Sequence, residues 1–221
     1  MSGKTALVLG ATGLVGKALL QELIRAPQYR RVKVLTRRPL ADIAQYPKLE
    51  AIELADFQQM QSIAGKLQAD DVFCALGTTM KKAGSKAAFY TVDFTYPFAL
   101  AQIARKNGAT QFLVVTATGA NASSKIFYNR VKAEIEMALQ GLDFPRLTIL
   151  RPSLLLGERQ EFRLGESLAQ MFGKLFSGLL PARMKPVSAE TVARAMLVLS
   201  AESFSDTRIV ESEEVRALGL R

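Results

Sequence analysis

The sequence predicts an α/β fold built on a doubly wound, mostly parallel sheet with a small C-terminal portion. Three observations predict it: short apolar runs alternate with segments of helical periodicity, a glycine-rich turn follows the first run, and no linker-like stretch divides the chain. The apolar runs are nearly continuous, which is typical of strands covered by helices on both faces. We therefore expect residues 1–221 to form one domain of successive β–α units.

The elements follow one another in a regular order. The predicted strands are Ala6–Leu9, Val32–Leu35, Leu49–Glu53, Asp71–Ala75, Gln111–Val115 and Arg146–Leu150. Helical patterns lie between them at roughly 14–25, 57–68, 87–106 and 125–140. Beyond Arg151 we expect a helix over about 188–200, with Ser188 at its N-cap, and then a short edge strand over Thr207–Glu211.

Residues 152–187 form the segment that we expect to shape a substrate pocket or a lid. Apolar side chains recur there at helical spacing from Leu164 to Leu179. Three roles are open for this stripe: a lid over an apolar small-molecule substrate, a face of a homodimer, or a helix packed in the core. The pattern favours the core.

Composition excludes several kinds of catalysis. The chain has no histidine, so neither a Ser-His-Asp nor a Cys-His nucleophile can exist in it. With one cysteine, Cys74, we expect no disulfide and no Cys/His metal site, and we interpret Cys74 as a small buried hydrophobe. Acid–base chemistry must therefore use Tyr, Lys, Asp or Glu.

The net charge is +9, from 29 basic and 20 acidic residues. No nucleic-acid-binding motif accompanies this charge, so we expect an anionic small ligand and no nucleic acid. The N-terminus does not have the pattern of a signal peptide, and the longest uncharged stretch, 107–124, is too polar to span a bilayer. We therefore expect a cytoplasmic protein without a membrane span.

The sequence GATGLVG occupies positions 10–16, between the first predicted strand and the first predicted helix. A phosphate needs close backbone approach and free N–H groups at a helix N-terminus, and glycines at these positions allow both. In this context the turn predicts a Rossmann-like dinucleotide site. The candidate cofactor-binding residues of the turn are Gly10, Thr12, Gly13, Leu14, Val15 and Gly16.

The end of the second strand indicates which dinucleotide is preferred. An NAD site usually has an Asp or Glu there for the ribose 2′-hydroxyl, whereas this strand runs into Arg37 and Arg38. Guanidinium groups pair with phosphate oxygens, so we predict that NADPH is preferred over NADH. Asp56 and Phe57, after the third strand, are candidates for contact with the adenine ring.

Tyr128 and Lys132 lie four residues apart in a helical pattern and therefore share a helix face. The phenol of a tyrosine has an ordinary pKa of about 10, and a neighbouring ammonium lowers it. We therefore expect Tyr128 to be an acid–base group. The same Lys132 could hold the ribose hydroxyls of a nucleotide.

With these residues the chain resembles the short-chain dehydrogenase/reductase superfamily, and in particular its atypical branch around the CC-type Tat-interacting protein. The matching segments are GATGLVG at 10–16, CALGTT at 74–79, FYNRVKAEIE at 127–136 and RPSLLLGERQE at 151–161. The resemblance implies that Tyr128 and Lys132 are the catalytic pair. It also implies that the nucleotide lies along Leu76, Gly77 and Thr78.

The superfamily's third catalytic residue is a serine at the end of the fifth strand, and this chain departs from that pattern. Thr118 is the first candidate for the role, Thr116 is the second, and Ser123 and Ser124 also lie near Tyr128 in sequence. Two functions follow. The first is an NADPH-dependent reductase of a small carbonyl or enone substrate, and the alternative is a non-catalytic NADP(H)-binding regulatory protein. The intact Tyr/Lys pair favours the enzyme.

Overall fold

A computed structural model describes residues 3–40, 45–156 and 182–220, and in these ranges a seven-stranded sheet forms the centre. Every neighbouring pair in this sheet is parallel, in the order β3-β2-β1-β4-β5-β6-β9. A separate parallel pair, β7-β8, lies outside it. The strands are β1 Lys4–Leu9, β2 Tyr29–Thr36, β3 Leu49–Glu53, β4 Asp71–Cys74, β5 Gln111–Val115, β6 Arg146–Arg151, β7 Leu155–Leu156, β8 Val187–Ser188 and β9 Asp206–Glu211. The predicted fold class is confirmed.

Helices cover both faces of the sheet. They are α1 Leu14–Arg25, α2 Met80–Ala83, α3 Lys86–Tyr90, α4 Tyr96–Lys106, α5 Phe127–Gln140, α6 Ala189–Ala201 and α7 Ser212–Gly219. Two 3₁₀ segments, Phe57–Leu67 and Ala182–Met184, complete the described elements. The helix predicted over 57–68 is therefore a 3₁₀ helix. The short α2, the terminal α7 and the β7-β8 pair were not predicted.

The helix predicted over 87–106 has a π-helical turn, Thr91–Thr95, between α3 and α4. Proline has no N–H group, so Pro97 cannot donate the helical hydrogen bond to the carbonyl of residue 93. A widened turn at this point is the local response, and such turns are frequent at functional sites. The Asp93 side chain, on this π-helical turn, lies in the buried interior.

The strands read as unbroken apolar runs because alternate side chains enter two different cores. On β1, Ala6 and Val8 belong to the core under α1, α6 and α7, whereas Leu7 and Leu9 belong to the core under α4 and α5. All four side chains are fully buried. Burial on both faces is the expected environment of a parallel sheet.

A buried polar cluster closes the end of the sheet where β1 and β4 begin. The Asp71 carboxylate, which is fully buried, accepts from the Tyr29 hydroxyl at 2.7 Å and from the Lys4 ammonium at 3.0 Å. Burial, followed by the charge of Asp71, raises the pKa of Tyr29 well above its ordinary value. The cluster is a structural feature, because its groups satisfy one another.

Two further sequence predictions concern the second half of the chain. The apolar stripe from Leu164 to Leu179 lies outside the described residues. Thr207–Glu211 belongs to β9, which is at the edge of the sheet as predicted. Within the described ranges, no helix has both the length and the apolar character needed to cross a bilayer.

The contact between α7 and α6 gives a test of the packing. A Cβ added at Gly219 would lie 2.0 Å from the Thr191 carbonyl oxygen, so α7 would have to move away. We expect Gly219→Ala to lower the free energy of unfolding by about 1–3 kcal/mol in urea denaturation. The control is Gly65→Ala, where an added Cβ meets nothing within 4 Å. Equal stability of Gly219→Ala and the parent would contradict this packing.

Candidate dinucleotide and catalytic site

The order of the strands reverses at β1, so a crevice opens between the carboxyl ends of β1 and β4. Gly10 ends β1 with φ at +90°, in the left-handed region that favours glycine. A Cβ at Gly10 would lie 2.5 Å from the Leu76 nitrogen, and one at Gly16 would lie 2.0 Å from the Gly10 carbonyl oxygen. The turn is therefore packed against α1 on one side and against the end of β4 on the other.

The N-terminus of α1 is open to an anion. Gly13 is the N-cap, and it has no side chain to accept a hydrogen bond from the first N–H groups of the helix. The nearest atom to a Cβ at Gly13 is the Gly10 carbonyl oxygen at 3.3 Å, so this position is less crowded than the other two glycines. Unpaired N–H groups at a helix N-terminus fit the diphosphate of a dinucleotide.

A cleft of about 370 Å³ extends from the turn towards the end of β2. The predicted cofactor-binding residues that line it are Gly10, Thr12, Arg37, Arg38, Phe57 and Leu76. The other predicted residues, on the turn, at the start of α1 and on the loop after β4, are not among its lining residues: Gly13, Leu14, Val15, Gly16, Gly77 and Thr78. Asp56 does not line the cleft; its carboxylate accepts from the Gln58 N–H at 2.9 Å and caps the 3₁₀ helix.

Arg37 and Arg38 are exposed at the mouth of this cleft. The Arg37 guanidinium carbon lies 5.9 Å from the centre of the Phe57 ring, within the range of a cation–π contact. The Thr36 hydroxyl donates to the Arg38 carbonyl at 2.8 Å and fixes the turn that presents both side chains. Within the described ranges, none of the residues that line the cleft is acidic. The cleft is therefore electropositive at the end of β2.

Tyr128 and Lys132 lie in the first two turns of α5, on one face. The Lys132 ammonium is 5.7 Å from the centre of the Tyr128 ring, and that ring lies 5.5 Å from the buried Phe89 ring. Lys132 is only 4% exposed, although it is a lysine. A lysine is almost never buried to this extent without a partner, so its environment needs an explanation.

The partner of Lys132 is Asp93, which the sequence analysis missed. The Lys132 ammonium meets Asp93 Oδ1 at 2.7 Å, and Oδ2 accepts from the Thr78 N–H at 2.9 Å. One carboxylate therefore joins the loop after β4, along which the nucleotide is predicted to lie, to α5, which carries Tyr128 and Lys132. An available signal in the sequence was an acid in an otherwise uncharged helical stretch, four residues before Pro97.

Two buried groups near the site have shifted pKa values. Burial alone lowers the pKa of Lys132, but the charge of Asp93 and its hydrogen bond reverse this effect, so the pKa is raised above its ordinary value. Burial raises the pKa of the Cys74 thiol to about 11. Cys74 is fully buried on β4, so it is a protonated apolar side chain at neutral pH.

Neither threonine proposed to replace the family's serine has a free hydroxyl proton. The Thr118 hydroxyl donates to the Arg151 carbonyl at 2.9 Å, and the buried Thr116 hydroxyl donates to Glu136 at 2.6 Å. Both hydroxyls are thus engaged by groups of the protein, whereas a group that orients a substrate carbonyl needs a hydrogen to donate. By contrast, Ser124 Oγ accepts from the Ile126 N–H at 3.1 Å and makes no donated bond to a described residue.

Comparison with known proteins identifies relatives over almost the whole chain. The family model described as "NAD dependent epimerase/dehydratase family" matches residues 6–197. Protein HTATIP2 of Rattus norvegicus is 36% identical, with 99% of this chain and 90% of that protein covered. Protein FMP52, mitochondrial, of Eremothecium gossypii is also 36% identical, with 96% of each covered.

The solved structures agree with this fold. The names of the relatives contradict one expectation from the sequence. An oxidoreductase of the short chain dehydrogenase/reductase family from Burkholderia thailandensis superposes with a TM-score of 0.70 at 18% identity, covering 98% of this chain and 94% of that one. The cytoplasmic location expected above is contradicted, because the FMP52 relatives are named mitochondrial. The chain belongs to the NAD dependent epimerase/dehydratase family.

Proposed function

We propose that this protein is an NADP(H)-dependent oxidoreductase that reduces a small apolar carbonyl or enone substrate, with Tyr128 as the proton donor. One observation carries the proposal: Tyr128 and the buried Lys132 share a face of α5, and Lys132 is joined through Asp93 to the loop at the end of β4. A buried cation beside a phenol, next to a dinucleotide cleft, is an arrangement suited to proton transfer at a reacting oxygen.

Tyr128 and Lys132 have different roles in the proposed reaction. NADPH, when bound, would supply a hydride for the substrate carbonyl carbon and leave as NADP⁺. Tyr128 donates its hydroxyl proton to the carbonyl oxygen, so the C=O bond becomes a CH–OH group, and the phenolate regains a proton from solvent. Lys132 stabilises the negative charge that develops on the phenol oxygen and holds ribose hydroxyls.

The preference for NADPH rests on charge. Arg37 and Arg38 line the cleft at the end of β2, where a 2′-phosphate would lie, and among the residues that the structure describes no acidic side chain lines it to repel that phosphate. Phe57, beside Arg37, offers a ring against which the adenine can pack. The 2′-phosphate would therefore gain charge-assisted hydrogen bonds that a 2′-hydroxyl cannot make.

Ser124 takes the place of the two threonines as the group that orients the substrate oxygen. Its oxygen already accepts from the Ile126 N–H and from Asn129, which fixes the oxygen and leaves the hydroxyl proton available. It is also close to Tyr128, since it lies in the loop that leads into α5.

A second candidate function is a non-catalytic NADP(H)-binding regulator, in which nucleotide occupancy alters a partner-binding surface. The Thr116 and Thr118 hydroxyls favour it, because both already donate hydrogen bonds within the protein and so leave the end of β5 without a donor for a substrate. The two functions differ in one respect: only the enzyme needs the Tyr128 hydroxyl.

Removal of both arginines tests the choice of cofactor. We expect the double variant Arg37→Ala, Arg38→Ala to bind NADPH at least tenfold more weakly, because charge-assisted hydrogen bonds contribute about 1.5–3 kcal/mol each. NADH binding should change little. Isothermal titration with both nucleotides provides the measurement, and Arg30→Ala, at the other end of β2, controls for net charge. Equal affinity of the parent for NADPH and NADH would refute the preference.

The change Tyr128→Phe separates the enzyme from the regulator. Phenylalanine keeps the ring against Phe89 and removes only the hydroxyl, so NADPH binding should persist while turnover falls by about 10²–10⁴-fold. Turnover is measured as NADPH oxidation with a panel of aldehydes, ketones and enones. Tyr90→Phe is the matched control, since Tyr90 stacks on Phe94 in the preceding helical segment. A parent protein inactive on a broad panel would favour the regulator.

The assignment of Ser124 is tested by a pair of variants. Ser124→Ala removes the proposed donor, and we expect kcat/KM to fall by about 10–10²-fold, on the scale of one lost hydrogen bond. Thr118→Val removes a hydroxyl that donates to the Arg151 carbonyl. When equal amounts of folded protein are compared, this variant should change kcat/KM less than threefold. The opposite order of effects would return the role to Thr118.

A further inference from the structure

We propose that Asp93 is a positioning residue that keeps Lys132 protonated and holds it against the Thr78 loop, so that the Tyr128–Lys132 pair works up to higher pH. The inference rests on the proposed function, since it assigns a role within that site. It concerns a residue that neither the glycine turn nor the Tyr/Lys motif indicates.

The geometry gives Asp93 two separate contacts, one for each oxygen. Oδ1 lies 2.7 Å from the Lys132 ammonium on α5, and Oδ2 accepts from the Thr78 N–H, in the loop after β4, at 2.9 Å. The Asp93 side chain is fully buried, and that of Lys132 is 6% exposed. One carboxylate thus fixes the distance between the helix that carries Tyr128 and the loop that follows Leu76.

The π-helical turn is what allows Asp93 to reach both partners. It lies between α3 and α4, and Pro97 removes the hydrogen bond that would continue a regular α-helix through this point. Turns of this kind are frequent at functional sites, and this one carries the acid of the ion pair with Lys132.

The charged and titratable groups that face Lys132 are few in the part of the chain that the structure describes. Asp93 faces it from the π-helical turn, Tyr128 from its own helix, and the Cys74 thiol from β4. Glu136, one turn further along α5, is engaged by Arg151 of β6. Asp93 therefore supplies the counter-charge that keeps a desolvated ammonium charged.

Loss of this counter-charge has a defined direction. A buried lysine without a carboxylate loses its proton at lower pH. Reduction needs the charged Lys132, so its rate falls as pH rises through the pKa of Lys132. Asp93 therefore moves that fall to higher pH.

The first experiment uses the protein without nucleotide and does not depend on turnover. In protein labelled with ¹³C at lysine ε-carbons, assigned with Lys132→Arg, NMR follows each ammonium as pH is raised. In the parent we expect Lys132 to keep its proton above the ordinary lysine value of about 10.4. A parent Lys132 that titrates at or below that value would overturn the proposal without any variant at Asp93.

The variant for this titration is Asp93→Asn, which preserves shape and keeps an acceptor for the Thr78 N–H. We expect its Lys132 to titrate at least about 1 pH unit below the parent. The matched control is Asp71→Asn, which neutralises another buried carboxylate at the opposite end of β4 and should leave Lys132 unchanged. An equal shift in both variants would show a general effect of stability and would overturn the proposal.

The second experiment measures kcat against pH with a substrate found in the Tyr128 screen. We expect Asp93→Asn to match the parent within about threefold at low pH and to lose activity at least about 1 pH unit earlier as pH rises. A uniform loss at every pH would indicate a merely structural role and overturn the proposal. If the parent reduces no substrate, the proposed function fails, whereas the NMR titration still decides the role of Asp93.

Discussion

The structure depends on a turn that has no room for a side chain at either end. At Gly10 an added Cβ would press against the backbone after β4, and at Gly16 it would press against the carbonyl of Gly10. Backbone atoms cannot yield as the end of a flexible side chain can. The contact therefore fixes three things together: the start of α1, the separation of β1 from β4, and the position of the open helix terminus above the crevice.

Buried carboxylates mark both ends of the central strands, and their surroundings assign them different roles. Asp71 is enclosed by Tyr29, Lys4 and Arg146 at the end of the sheet away from the cleft. Asp93 instead joins a helix to a loop at the end where the cleft opens. A buried charge is costly unless it is paired, so each carboxylate requires its cations. The first pairing holds the fold, and the second holds a lysine beside a phenol.

The features that the sequence could predict are those set by local rules. Apolar runs of strand length, the glycine turn and the i, i+4 spacing of Tyr128 and Lys132 need no knowledge of distant residues. The missed features depend on contacts across the fold. The Thr118 hydroxyl donates to a carbonyl 33 residues away, and Lys132 is paired with an acid in a different helical segment. Only the assembled structure shows that such hydrogen-bonding groups are occupied.

The cover that α6 and α7 place over α1 has a consequence for how the chain is made. Val192, Met196 and Leu218 complete the apolar core that Val8 and Leu19 begin. During synthesis the face of β1 beneath α1 therefore remains incompletely covered until α6 and α7 have been made. Contacts between segments so distant in sequence form slowly and leave apolar surface exposed meanwhile. A nascent chain of this protein thus carries an uncovered apolar face from the synthesis of α1 until the synthesis of α7, although the turn at 10–16 already stands beside it.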